Sequence, residues 1–301
     1  MEDGHKFQEV SKPKYDCLLF DLDDTLYPFN SGVSAQIAKH IGEYMIQKLG
    51  IEAAKVAELN YPLYKIYGTT LAGLTAIGYD FDYDDFHSLN NVKRAFVLNS
   101  FVHGRLPYNV LLKPDPVLRS ILQSLPVRKV IFTNADSNHA LRALQTLGLE
   151  DCFERIISFD TLNPSNTNPP YDKEDGSESG STPAGIFDFS EHIRRGDSDM
   201  LLPRTPLVCK PFDDAFENVF KLADIDPQRT LFFDDSVRNL LTAKRLGLHT
   251  VAVGTSVRTT GTDHALESIH NIREAFPELW DADEKHEIVP YKVGIETSVK
   301  A

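Results

Sequence analysis

Cysteine is scarce in this chain. Only Cys17, Cys152 and Cys209 occur among 301 residues, far apart and with no Cys-x-x-Cys pair. That spacing indicates neither a disulfide framework nor a zinc site, and leaves reduced, buried thiols as the simple reading. No apolar run approaches the ~20 residues that cross a bilayer. Met1 to Pro13 is charged and lacks the apolar stretch of a secretory leader. A cytoplasmic protein is therefore the expectation. Positive charge is also short, since 31 Lys and Arg stand against 44 Asp and Glu, a formal net charge of -13. General binding to nucleic acid or to an anionic membrane draws on cationic surface, so neither partner is expected. An anionic small molecule would need local help from a metal ion, a lysine or backbone N–H groups.

What is present is ordinary for a globular protein, 42% hydrophobic and 25% charged, with length enough for a full core and a second, smaller domain. The most informative stretch is Phe20-Asp21-Leu22-Asp23-Asp24-Thr25-Leu26. It sets two carboxylates two residues apart directly after the apolar run Cys17 to Phe20. Such a run reads as a buried parallel strand, and the crevice beyond the carboxyl ends of such strands is where open α/β sheets bind ligands. At alternate positions Asp21 and Asp23 can point the same way while the strand lasts. One could then attack while the other exchanges protons.

After Leu26 the pattern turns helical. Val33, Ile37, Ile41, Tyr44 and Met45 share helical spacing before Gly50, and further helical segments run past Tyr64, Gly68 and Leu74 to about Lys113. Asp115-Pro116 marks a helix start. A regular alternation follows, with strands at Lys129 to Thr133, Ile156 to Phe159, Leu207 to Lys210, Thr230 to Phe233 and Thr250 to Val253. Helices lie between them, one capped by Asp136 and ended by Gly148, another capped by Ser236 and ended by Gly247. Strand, helix, strand repetition predicts an α/β fold with a doubly wound parallel sheet. Thr161 to Pro206 opens rich in Asn, Pro, Ser, Gly and acids and predicts a mobile surface loop. The tail after Trp280 receives no fixed structure.

Four polar clusters follow strands: Asp21 and Asp23, Thr133 and Asn134, Lys210, then Asp234 and Asp235. In a parallel sheet those ends converge on one crevice. Carboxylates from the first and last would make an oxygen-rich site suited to Mg²⁺, while Lys and Thr could neutralise and hydrogen-bond a phosphoryl group. Taken singly, each has a plainer reading: a solvated turn, an ordinary strand threonine, a surface cation, acids complementing a helix N-terminus. Four such accidents, each immediately after a strand, explain the pattern poorly.

On these motifs the chain resembles the haloacid dehalogenase superfamily of phosphatases, with a Rossmann-like core and a helical cap inserted after the first motif. Asp24 to Pro28, Tyr67 to Leu74 and His103 to Tyr108 resemble its pyrimidine 5′-nucleotidase-like branch, especially plant members that include a xanthosine monophosphate phosphatase. The resemblance implies Asp21 as nucleophile, forming an aspartyl-phosphate, and Asp23 as general acid and base. It implies Mg²⁺ held by Asp21, the backbone carbonyl of Asp23, and Asp235 supported by Asp234. Thr133 and the N–H groups around Leu22 and Asn134 would hold phosphoryl oxygens, with Lys210 screening nucleophile and phosphate. Lys65, Thr69, Thr70, Arg105 and Tyr108 are the cap's candidates for reading a nucleotide, each with packing as its plain alternative. Residues 89–99 interrupt a stretch that is continuous in similar proteins, through a longer cap helix or a splice or gene-model variant.

The implied division is a core over 14–28 and 114–280, a cap over 29–113, and flexible tails at 1–13 and 281–301. The implied activity is Mg²⁺-dependent hydrolysis of a nucleoside 5′-monophosphate, a pyrimidine nucleotide or xanthosine monophosphate. The alternatives are phosphatase action on another small metabolite and a non-catalytic regulatory role. A dehalogenase proper has no need of a second acid at Asp23, and a receiver domain orders its acids differently.

Overall fold

The computed structural model describes residues 14–79, 101–164, 189 and 202–280. The expectations for both tails, for residues 89–99 and for most of 161–206 lie outside them. Six parallel strands form one sheet in the order β3-β2-β1-β4-β5-β6. They are β1 Cys17–Phe20, β2 Arg128–Phe132, β3 Arg155–Ile157, β4 Thr230–Asp234, β5 His249–Val253 and β6 His264–Leu266. The doubly wound sheet expected from the sequence is present. Its sixth strand was not foreseen.

Side chains alternate across the strands and so divide the apolar residues into two cores. Leu18, Phe20, Ile131 and Phe233 face one, and Cys17, Leu19, Val130, Phe132 and Phe232 face the other. Helices cover both faces. Burial of each large side chain contributes about 1.5–3 kcal/mol, which is why β1, CLLF, is wholly apolar and wholly buried. All three cysteines are buried and free.

Between β1 and β2 lies a helical layer of α1 Val33–Gln47, α2 Ala53–Tyr67 and α3 Thr70–Ala76, with its own apolar cluster around Tyr44, Met45, Leu59, Leu63, Tyr67 and Leu74. Gly73 allows α2 and α3 to approach, since a Cβ there would stand 2.6 Å from Leu63 Cβ. After the one-turn helix Tyr108–Leu111, the sheet-flanking helices are α4 Pro116–Ser124, α5 Ser137–Leu147, α6 Asp213–Ala223 and α7 Val237–Arg245. Asp115 and Asp136 cap α4 and α5 as expected, accepting from Leu118 N and His139 N. Ser236 sits at the N-cap of α7 but makes no capping bond with its side chain. Asp234 Oδ1 holds the Ser236 backbone itself, accepting from Ser236 N at 2.8 Å.

Two expected strands change. Ser158 and Phe159 leave the β3 strand, because Ser158 caps the one-turn helix Phe159–Leu162. Leu207 to Lys210 is no strand at all. Its backbone is satisfied by two asparagine side chains instead of a neighbouring ladder: Asn163 Oδ1 accepts from Val208 N at 2.9 Å, and Asn163 Nδ2 donates to Val208 O at 2.8 Å. Asn134 repeats the device on Lys210, accepting from its N at 2.8 Å and donating to its O at 2.9 Å. Within the segment expected as a mobile loop, buried Phe189 joins the helical layer's cluster, and Pro203 O accepts from Tyr67 OH at 2.8 Å.

Candidate active site

β1 lies between β2 and β4, with Phe20 level with Ile131 and Phe233. Asp21 is the first residue past the strand, its N–H donating to Phe233 O at 2.8 Å. The chain then turns back, with Leu26 N donating to Leu22 O at 2.9 Å, and Asp24 holds the left-handed backbone at φ 59 that the turn requires. Leu22 is buried in the sheet-side core, so it can meet a substrate only through its backbone.

Lys210 reaches into this turn from its loop. Its Nζ, buried, donates to Asp21 Oδ1 at 2.6 Å, Asp234 Oδ2 at 2.8 Å and Phe132 O at 2.9 Å. All three ammonium protons are thereby committed. The two carboxylates raise the Lys210 pKa despite burial, which opposes it, so the side chain is a fixed cation. Asp21 Oδ2 has only a 3.5 Å contact from Thr25 Oγ1 and is the freer oxygen. Asp234 is held on every side, accepting also from Asn239 Nδ2 at 3.0 Å.

Asp21, Asp234 and Asp235 each bring one oxygen within 4.8 Å of the others. Loss of hydration, and then the repulsion between neighbouring carboxylates, raises the pKa of both Asp21 and Asp235. Asp24 adds a buried Oδ1 without a partner. Four carboxylates, those of Asp21, Asp23, Asp24 and Asp235, line one crevice with Lys210, and the buried carboxylate of Asp234 joins them through the Lys210 ammonium. The donor set is all oxygen and its charge is in excess. These residues fit a hard divalent cation such as Mg²⁺.

Asp23 diverges from Asp21. Its Oδ1 accepts from His139 Nε2 at 2.7 Å and from Tyr27 OH, and its carboxylate is not one of the three gathered oxygens. Burial would raise its pKa, but the His139 charge and the bonds from His139 and Tyr27 hold it at about 2. Behind it, His103 Nδ1 pairs with Asp136 Oδ2. Sequence reading singled out neither His139 nor Tyr27 for the site.

The crevice has a volume of about 480 Å³, and Thr69, Thr70, Thr133 and Asn134 line it. Thr133 Oγ1 accepts from Ala135 N at 3.0 Å, while Thr69 caps α3 through Ala72 N. Thr70 Oγ1 donates to Asn60 Oδ1 at 2.7 Å. The Asn134 side chain is spent on the Lys210 backbone. Three cap candidates, Lys65, Arg105 and Tyr108, are not among the lining residues. Arg105 is exposed, paired with Glu43 at 2.9 Å and lying over the Phe101 ring. Tyr108 is buried in the sheet-side core with its hydroxyl 2.8 Å from His139 Nδ1. Lys65 lies over the Tyr61 ring. In their place the crevice presents Phe29, Tyr61 and Tyr64, all exposed. Single exposed aromatics on helix faces give no local signal, which is why sequence reading passed over Phe29 and Tyr61.

A family model of the haloacid dehalogenase-like hydrolases matches residues 15–177. The chain belongs to the haloacid dehalogenase-like hydrolases. Phosphate metabolism protein 8 of Saccharomyces cerevisiae is 28% identical over 151 residues, covering 48% of this chain and 43% of the relative. The match thus spans less than half the length of that relative. Among solved structures, CbbY from Rhodobacter sphaeroides in complex with phosphate is similar at TM-score 0.50 and 14% identity, covering 86% of this chain and 96% of that one. A CbbY mutant in complex with xylulose-(1,5)bisphosphate gives TM-score 0.51 at the same identity and coverage. At such identity the likeness is one of fold, and it agrees with the parallel sheet of this hydrolase. Among its described residues no helix is long and apolar enough to cross a membrane.

Proposed function

We propose that this hydrolase is a phosphomonoesterase acting on a nucleoside 5′-monophosphate, a pyrimidine nucleotide or xanthosine monophosphate. The observation that carries the reading is the pairing of Asp21, its Oδ2 lightly held beside a fixed ammonium, with Asp23 across the same crevice. Asp21 attacks phosphorus, forming an aspartyl-phosphate as the ester P–O bond breaks, and the departing alkoxide takes a proton from Asp23. Water then attacks phosphorus and gives its proton to Asp23, and the bond to Asp21 breaks to release phosphate. Asp23 is held as a carboxylate, the form the second step uses. A phosphate dianion arriving beside it raises its proton affinity for the first step. Thr133 and the N–H groups of Leu22 and Asn134 are the donors for phosphoryl oxygens, and Lys210 balances the charge of Asp21 through the cycle.

Asp21 and Asp235, supported by Asp234 and with the backbone carbonyl of Asp23, would hold Mg²⁺, which would offset the negative charge of the phosphoryl group. Residues 14–28 and 114–280 would form the core and 29–113 the cap. The nucleotide reading draws on the resemblance of Asp24 to Pro28, Tyr67 to Leu74 and His103 to Tyr108 to the nucleotidase branch. It also draws on Phe29, Tyr61 and Tyr64, whose rings offer a base flat apolar surface.

Phosphate release from xanthosine, cytidine and uridine monophosphates, sugar phosphates and p-nitrophenyl phosphate, each with Mg²⁺, Ca²⁺ or EDTA, tests this. The expected result is Mg²⁺-dependent turnover with kcat/KM highest for a nucleotide, and silence in EDTA. Preference for a sugar phosphate would remove the nucleotide, full activity in EDTA would remove the metal, and no release from any ester would remove the phosphatase.

A further inference from the structure

The half-buried carboxylate of Asp23 has an arrangement behind it that neither the family match nor the proposed chemistry accounts for. His139 lies in the first turn of α5 with no exposed surface. An imidazole so placed needs partners for both nitrogens, and both are supplied. Nδ1 lies 2.8 Å from the hydroxyl of buried Tyr108, and Nε2 lies 2.7 Å from Asp23 Oδ1. An ionised Asp23 can only accept, so the ring carries a proton on Nε2 and donates it to Asp23 Oδ1. The ring cannot swing away. Its backbone N–H is held by Asp136 Oδ1 at 3.0 Å, and the ring of His103 lies against it, tilted by 36° with centroids 4.5 Å apart.

The second bond to Asp23, from Tyr27, falls on the same Oδ1. Both anchors therefore grip one oxygen and leave the other, Oδ2, untouched by either, in a residue that lines the crevice. We propose that His139 is the positioning residue for Asp23, with Tyr108 acting through it, so that the pair sets which carboxyl oxygen meets the leaving group and the attacking water. Tyr108 follows the helical insertion and His139 follows β2. The alignment of a group on the β1 loop is thus fixed from two other parts of the chain.

This inference rests on the reading of Asp23 as general acid, and one experiment separates the two. In the full-length chain, kcat/KM would be measured for phenyl phosphate and p-nitrophenyl phosphate, the poor and the good leaving group, in the parent, Asp23→Asn, His139→Asn, Tyr108→Phe and the Asp23→Asn/His139→Asn double variant. A misaligned group costs on the order of 10²-fold, so His139→Asn should lower phenyl phosphate by about that factor and p-nitrophenyl phosphate much less. Tyr108→Phe keeps ring and volume and should give the same pattern at smaller size. It decides the matter alone should His139→Asn fail to fold. In the double variant, the loss of His139 should add nothing to that of Asp23. Equal loss on both substrates, or an additive double variant, overturns the proposal. If Asp23→Asn itself does not discriminate between leaving groups, the general-acid reading falls first. If it discriminates and the other two do not, only the positioning role falls.

Discussion

Gly68→Ala strikes the point where the helical layer touches the loop of Lys210. Gly68 follows α2 at φ +82, and a Cβ there would stand 1.8 Å from the carbonyl oxygen of Lys210 and 2.8 Å from Pro211 Cδ. Carbon and carbonyl oxygen normally approach to about 3.3 Å, so the two backbones would have to part by roughly 1.5 Å. Left-handed backbone adds about 1–2 kcal/mol for a residue with a Cβ. The Lys210 carbonyl cannot retreat alone, because Asn134 clips the same residue at both N and O. The ammonium then shifts with it, away from Asp21 and Asp234. A misplacement near 1 Å costs about 10²-fold, and that is the expected fall in kcat/KM for p-nitrophenyl phosphate. The melting temperature should fall by about 2–8 °C, from that strain and the usual 2–4 °C per kcal/mol for a domain of this size. Calorimetry and phosphate release on purified protein would check both. Parent-like melting with parent-like turnover would refute the close approach of Gly68 to Lys210 and the rigidity argued from it.

Lys210→Met keeps the stem but strands two buried carboxylates, so stability should fall by about 3–5 kcal/mol and turnover should vanish; an unchanged denaturant midpoint would count against the ion-pair geometry. Asn163→Ala leaves Val208 N and O without partners and should cost about 1–3 kcal/mol, read as a lowered midpoint. The Asp23 carboxyl is depressed from 3.8 to about 2, so its contribution of about 2 kcal/mol is present above about pH 4 and lost as pH falls through pH 2. Asp23→Asn should flatten that acid limb in a stability titration, and identical limbs would show the pairing with His139 and Tyr27 to be worth little. Tyr61→Ala should lower kcat/KM for the preferred nucleotide by about tenfold or more and leave p-nitrophenyl phosphate much less affected; a common factor would make the ring a lid and not a reader of the base.

What the sequence makes legible is what short-range physics decides. Cys17 to Phe20 reads as a strand because burial on both faces leaves no polar position, and Asp115 and Asp136 read as caps because their partners lie three residues on. The Lys210 loop reads wrongly for the complementary reason. Its apolar residues suit a strand, but the groups that satisfy its backbone are Asn163 and Asn134, 45 and 76 residues away, and no periodicity records them. Arg105 and Tyr108 stand three apart in one motif, yet one side chain turns out to Glu43 and the other inward to His139.

The two aspartates show the same limit at the centre of the site. Alternation places Asp21 and Asp23 on one side only if the strand continues, and β1 ends at Phe20. Past that residue the turn through Asp24 sets direction, so Asp21 meets Lys210 and Asp23 meets His139, 116 residues further along the chain. Their separation in direction is what allows one carboxylate to stand beside the ammonium while the other faces a separate proton partner. A strictly alternating pair would crowd both into one field and raise both together. The broken strand thus gives two identical side chains two different environments, the difference on which the proposed chemistry rests.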